Sequence, residues 1–205
     1  MTTQGYSARP LALLATVATL ATRICGLVVF LMAFLIAVDV VVRKLFNSTL
    51  FSGGVGEISG YVLGIISAWG AASALLARSH VRIDTVQIML PRSVGRLADI
   101  VAIAMFTLAS GTLAYVAYFT FKRTFILNSH SMTPLAVPIA IPQGLWFAGL
   151  CFLTAVSLAL SMAGIVAILK GDHRTAHALI GPRSIEEEVE EQQAIVGAVS
   201  EVTKP

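Results

Sequence analysis

From its N-terminus the chain sets long uncharged apolar runs between short clusters of charge. Leu11–Val42 is the first run, interrupted by Arg23 and Asp39, and Ile58–Ala77 is the second, bracketed by Glu57 and Arg78. Ile100–Phe121 is the third, bracketed by Asp99 and the Lys122–Arg123 pair, and the fourth follows a proline cluster and ends at Leu169, just before Lys170. A helix needs ~20 mostly apolar residues to cross ~30 Å of hydrocarbon. Continuous runs are not the two-residue alternation of a barrel strand. The pattern therefore predicts an all-α membrane protein with four transmembrane helices, at about 16–43, 57–78, 97–121 and 142–169. Residues 1–170 form one four-helix domain in this reading, and 171–205 an acidic, flexible cytoplasmic tail.

Composition strengthens that reading. Hydrophobic residues are 57% of the 205 and charged residues 12%, where a soluble domain carries about 25% charged. An apolar segment behind Arg9 has the outline of a signal peptide, but it runs past the usual length of one and meets Arg23 where small residues at a cleavage site belong, so the first helix is expected to be retained. The net charge of +3 reflects cations beside helix ends. With the N-terminus inside, Arg9, Arg23, Arg78, Arg82, Arg92, Arg96, Lys170, Arg174, Arg183 and Lys204 face the cytoplasm, and only Arg43, Lys44, Lys122 and Arg123 face outward. That asymmetry predicts N-in/C-in topology. Cys25 and Cys151 fall at different depths, which argues against a disulfide.

Between the runs, several stretches carry structure of their own. Asn47, Ser48 and Gly53–Gly54 read as an external turn. Gly56, Gly60, Gly64, Ala68 and Ala72 recur at steps of four on the second helix, and Ala155, Ala159, Ala163 and Ala167 on the fourth; both read as small-residue packing faces. Prolines 134, 138 and 142 predict an irregular outer segment over Met132–Ile141, with Pro142 in the first turn of the fourth helix and Trp146 at the interface; a re-entrant loop is the alternative. Asp84 and Gln87 have capping-box spacing before Val86, Met89 and Leu90, with Arg82, Arg92 and Arg96 alongside. This predicts a short amphipathic helix lying along the cytoplasmic interface between helices 2 and 3. In the tail, Ser184 and Glu187 are spaced as a second capping box.

Candidate chemistry is sparse. Asp39 and Arg43 stand one turn apart near the outer end of helix 1, where a structural or subunit-contact pair fits better than an ion pathway. Glu57 opens helix 2, where the helix dipole favours a carboxylate. His80, His130, His173 and His177 all fall outside the middles of the spans, which disfavours a membrane cytochrome, and His173 with His177 supplies only two metal ligands. No nucleophile-and-base set or phosphate-cradling loop stands out. The reading assigns no catalytic, substrate-binding or metal residue and no cofactor. It leaves Asp39, Arg43, Glu57, Gly60, Gly64, Ala68, His80, Arg82 and Asp84 as interface candidates.

Three stretches are similar to one family. They are "DVVVRKLFN" (39–47), "GEISGY" (56–61) and "WGAASALLARSHVRIDTV" (69–86), in which Gly70, Ala71, His80, Val81, Arg82 and Asp84 resemble a G-A followed by H-I/V-R-V/I-D pattern. With "LPRSVGRLADI" (90–100) and Thr133–Pro134, the chain resembles the small permease subunit of tripartite ATP-independent periplasmic (TRAP) transporters, the DctQ-like family. The "TLFS" at 49–52 departs from the turn residues of many members. The resemblance implies a four-helix subunit of the bacterial inner membrane, partnered by a large permease subunit and a periplasmic solute-binding protein. It also implies sodium-coupled uptake of an organic anion such as a carboxylate. The large subunit would carry the substrate and sodium sites and move like an elevator, with this chain as a lipid-embedded scaffold and no role for nucleic acid. The competing classes are a membrane enzyme or redox subunit, a small stand-alone exporter, and a general membrane assembly factor.

Overall fold

A computed structural model describes residues 9–50, 55–78 and 92–171, with the single position Gln193. Four helices make up nearly all of it: α1 (Arg9–Phe46), α2 (Val55–Leu76), α3 (Arg92–Ile126) and α4 (Ala140–Leu169). Each is long and apolar enough to cross a membrane, and the chain is a multi-pass membrane protein. The helix expected near 85–90, His80, Arg82, Asp84, the His173–His177 pair and the Ser184–Glu187 box lie outside the described residues.

Helix ends follow caps rather than charges. Pro10 and Pro142 sit in the first turns of α1 and α4, where a missing N–H costs nothing. Asn47, Arg78, Asn128 and Gly171 take left-handed φ angles just beyond the four C-termini, the conformation that ends a helix and that Asn and Gly adopt most readily. After α3 the stop is a full Schellman motif: Ser129 N–H donates to Thr124 O at 3.1 Å and Asn128 N–H to Phe125 O at 3.3 Å. Two helices consequently outrun the expected spans. α1 covers 38 residues and α3 covers 35, or ~57 Å and ~52 Å of helix. Arg43, Lys44 and Arg123 lie in the last turns, where the dipole favours cations; these charges mark a polarity border without ending the helix.

The helices stand in an open row. α4 packs against α3 on one side and α2 on the other, while α1 leans on α2 and barely reaches α4. A three- and four-residue spacing carries the seams. On α3, Ile103, Thr107, Ser110, Ala114 and Ala117 face α4, whose buried stripe includes Gly149, Leu153, Val156, Ser157, Leu160, Ser161, Gly164 and Ala167. Leu11 of α1 joins Ala72, Leu75, Ile103, Leu153, Val156 and Leu160 in one apolar cluster. A second cluster, of Ala68, Ala114, Ala117 and Leu150, has Trp146 against it. α1 has few buried residues and exposes Leu27, Phe30, Phe34 and Leu45.

The two small-residue series are only partly packed within the chain. Four residues advance an α-helix by ~400°, so each step of four drifts ~40° and five such positions wind ~160° around it. On α2, Ala68 and Ala72 are buried, whereas a Cβ at Gly56, Gly60 or Gly64 would meet nothing within 4 Å. On α4, Ala155 is exposed and Ala167 buried. Neither series forms one continuous face within the chain.

Candidate functional site

Two carboxylates brace the end of the row that carries the 47–50 and 127–139 segments. Asp39 is 1% exposed although it lies in the penultimate turns of a membrane helix. Its Oδ2 accepts from Arg43 Nη2 at 2.6 Å and its Oδ1 accepts the Leu50 N–H at 2.9 Å. The i,i+4 pairing follows from helix geometry; the Leu50 contact does not. Asn47, with φ 51°, turns the chain so that Leu50, eleven positions after Asp39, folds back onto α1. Arg43 keeps its outer surface in the open, so the pair holds a corner rather than lining a passage.

Glu57, in the first turn of α2, is the second brace. Its Oε1 accepts from the Tyr61 hydroxyl at 2.7 Å, and its Oε2 accepts from Thr133 Oγ1. Thr133 is in turn tied to Ser131: the hydroxyls lie 3.0 Å apart and Thr133 N–H donates to Ser131 Oγ at 3.2 Å. The segment is irregular as its prolines require, yet ordered by backbone bonds. Ser131 N–H donates to Val137 O at 2.9 Å, Ile139 N–H to Ser129 O at 3.1 Å, and His130 bridges to Pro138. Glu57 thus joins α2 to the α3–α4 connection through Tyr61 and Thr133.

Between the helices the polar contacts are hydroxyls. Thr107 Oγ1 lies 2.9 Å from Ser161 Oγ, and Ser110 Oγ lies 3.2 Å from Ser157 Oγ. Thr107 and Ser161 also reach the carbonyls of Ile103 and Ser157 within their own helices. Two protons serve those three contacts, so one hydroxyl bonds across while the other bonds back. Ser157→Ala is expected to cost about 0.6 kcal/mol and at most about 1.7, read as a small fall in the unfolding midpoint of the purified chain.

The tightest approach is at Gly149. A Cβ there would stand 2.8 Å from Trp69 Cδ1 and 2.9 Å from the Ala68 Cβ. Trp69 donates its indole N–H to Leu145 O at 3.1 Å and stacks on Phe152 with ring centroids 5.5 Å apart.

Of the interface candidates, Asp39 and Arg43 pair with each other, Glu57 meets the distant 131–133 segment, and Ala68 packs beside Gly149. Gly60 and Gly64 border open space. Sequence reasoning assigned no contact to Tyr61, Ser131, Trp69, Gly149 or the paired hydroxyls; it noted Thr133 only as a family-like feature and Asp99, which is 6% exposed, only as a charge bracketing a span. The i,i+4 spacing of Glu57 and Tyr61 was a usable signal. The hydroxyls at 107, 110, 157 and 161, spaced three and four apart on two helices, were another. Cys25 and Cys151 are free thiols.

This arrangement positions backbone segments and helices. The family model described as "Tripartite ATP-independent periplasmic transporters, DctQ component" matches residues 32–167, a stretch holding both carboxylates and the Trp69–Gly149 contact. No curated protein matches the chain.

Proposed function

We infer the role of this chain from its family: it belongs to the DctQ component family of tripartite ATP-independent periplasmic transporters. It is the small membrane subunit of such a transporter, and we read it as the stationary brace of the complex. Its partners in this reading are a large permease subunit and a periplasmic solute-binding protein. The complex takes up an organic anion, a carboxylate by class, together with sodium across the bacterial inner membrane. Both termini face the cytoplasm, and the Asp39–Glu57 end faces the periplasm, where its ordered segments offer a surface to the binding protein.

The observation that carries the scaffold reading is the use made of polar groups. Asp39 and Glu57 are consumed in holding the 47–50 and 131–133 segments. The middle of the α3–α4 seam holds paired hydroxyls and small apolar residues. Anion and sodium binding at mid-depth calls for broken helices and unwound carbonyls, and the described spans are unbroken helices. An elevator needs a fixed body to move against, and this chain supplies part of it. A general assembly role remains the competing reading and predicts only transient association.

Reconstituting the large permease and binding protein into vesicles with and without this chain tests the role. Transport is expected to require it; full-rate uptake by the large permease alone sinks the scaffold reading. Gly60→Leu with Gly64→Leu gives a narrower check. Open space at both positions leaves the lone chain intact, while recovery of the large permease with tagged small subunit is expected to fall severalfold.

A further inference from the structure

α3 packs against α4 and turns its opposite face out of the row. On that face Leu108, Thr112, Tyr115, Phe119 and Lys122 follow one another at steps of three and four, and all are exposed, Tyr115 by 65% and Phe119 by 50%. The end nearest the 127–139 segment is an aromatic corner. Tyr115 and Phe119 meet edge to face with ring centroids 4.8 Å apart, and Tyr118 and Phe119 do so at 5.4 Å. Phe147 of α4 backs Tyr118 at 6.0 Å. Lys122 Nζ stands 5.9 Å from the centre of the Tyr118 ring, within the reach of a cation–π contact.

Four polar groups on this corner are unanswered by the chain. Among the described residues Lys122 and Arg123 make no ion pair, and the hydroxyls of Tyr115 and Tyr118 make no hydrogen bond. The carboxylates at this end of the row are engaged elsewhere, Asp39 by Arg43 and Leu50 and Glu57 by Tyr61 and Thr133. Two cations without an anion call for one from outside. Their order along α3 says what else it carries. Tyr118 stands ~6 Å and Tyr115 ~10 Å from Lys122 toward the middle of the span. A glycerophospholipid presents phosphate, ester carbonyls and acyl chains in that same order, and a phenol hydroxyl can donate to an ester carbonyl.

We propose that this corner of α3 binds one anionic phospholipid of the surrounding bilayer. Its phosphate meets Lys122 and Arg123, an ester carbonyl accepts from the Tyr118 hydroxyl, and an acyl chain lies along Phe119, Tyr115, Thr112 and Leu108. Phosphatidylglycerol suits the corner better than phosphatidylethanolamine, whose own ammonium competes for its phosphate and is repelled by the two cations. Free phosphate lacks the esters and chains that the tyrosines and the apolar row would meet. The inference needs only that α3 spans a bilayer and does not draw on the transporter role.

The test is native mass spectrometry of the full chain, released from micelles holding equal amounts of phosphatidylglycerol and phosphatidylethanolamine with the same acyl chains. Phosphatidylglycerol is expected to be the lipid retained, and excess inorganic phosphate is expected not to displace it. A cation beside an anionic lipid is worth about fivefold in binding, so Lys122→Ala with Arg123→Ala is expected to lower retention roughly 25-fold. Tyr118→Phe keeps the ring and is expected to lower it severalfold. Lys44→Ala removes an exposed cation at the end of α1 and is expected to change nothing. Equal retention of the two lipids, displacement by inorganic phosphate, or an equal loss with Lys44→Ala overturns the inference. A photo-crosslinking residue in place of Phe119 is expected to capture phospholipid in native membranes, and capture of a protein there instead overturns it. If the double variant does not accumulate, Tyr118→Phe and the crosslink at 119 decide.

Discussion

Gly149→Leu is expected to abolish the folded four-helix unit, and Gly149→Ala to destabilise it by about 1–3 kcal/mol, the usual cost of overpacking a close contact. The new Cβ would stand within 2.9 Å of both the Trp69 indole and the Ala68 side chain. Trp69 has little room to yield, because its N–H is bonded to Leu145 O and its ring stacks on Phe152. Moving the indole would break both contacts; moving α4 would open the seam on which α2 and α3 depend. The measurement is the thermal midpoint in detergent, with Gly64→Ala as control. At Gly64 a Cβ meets nothing, and alanine in a helix is favoured over glycine by ~1 kcal/mol. Equal midpoints for Gly149→Ala and Gly64→Ala would remove the claim that Gly149 sets the α2–α4 distance.

Glu57→Ala is expected to release the 127–139 segment. Hydrogen bonds to a charged acceptor contribute ~1.5–3 kcal/mol, and this substitution strips the acceptor from Tyr61 and Thr133 together. The backbone bonds from Ser131 N–H to Val137 O and from Ile139 N–H to Ser129 O would then open more often. Amide hydrogen exchange at Ser131 and Ile139 should accelerate by tenfold or more. Glu57→Gln should give an intermediate rate, since its carbonyl oxygen still accepts and its NH2 can donate to the second hydroxyl, but neither bond has the strength of one to a carboxylate. If exchange in the loop is unmoved by Glu57→Ala, the bond across 76 positions of sequence does not hold the segment.

The contrast between the two braces shows how far sequence reading reaches. Asp39 and Arg43 could be paired on paper because four residues in a helix bring side chains together, and helix geometry is a local rule. That Asp39 also holds Leu50 depended on where the chain turns after Asn47, a matter of one left-handed residue. Glu57 was explained adequately by the helix dipole, and its bond to Thr133 was invisible because nothing local relates α2 to the α3–α4 connection.

The small-residue steps are packed only in part within the chain, for a related reason. A count of four suggests a face, but the helix does not close on four residues, so which of those positions became contacts was decided by the neighbours. Ala68 met Gly149 and Trp69, while Gly60 and Gly64 met nothing.

Solvent explains the division. In a bilayer each backbone must satisfy its own hydrogen bonds, so long apolar runs between charges can only be helices; their number and class, and the kinship carried by residues 39–86, are written in the chain. Hydrocarbon is as apolar as leucine, so it exerts no pull that tells one greasy helix face from another. The row α1–α2–α4–α3, the seam of hydroxyls and the close pass at Gly149 come from shape and polar contact between helices distant in sequence, and only the assembled structure decides them.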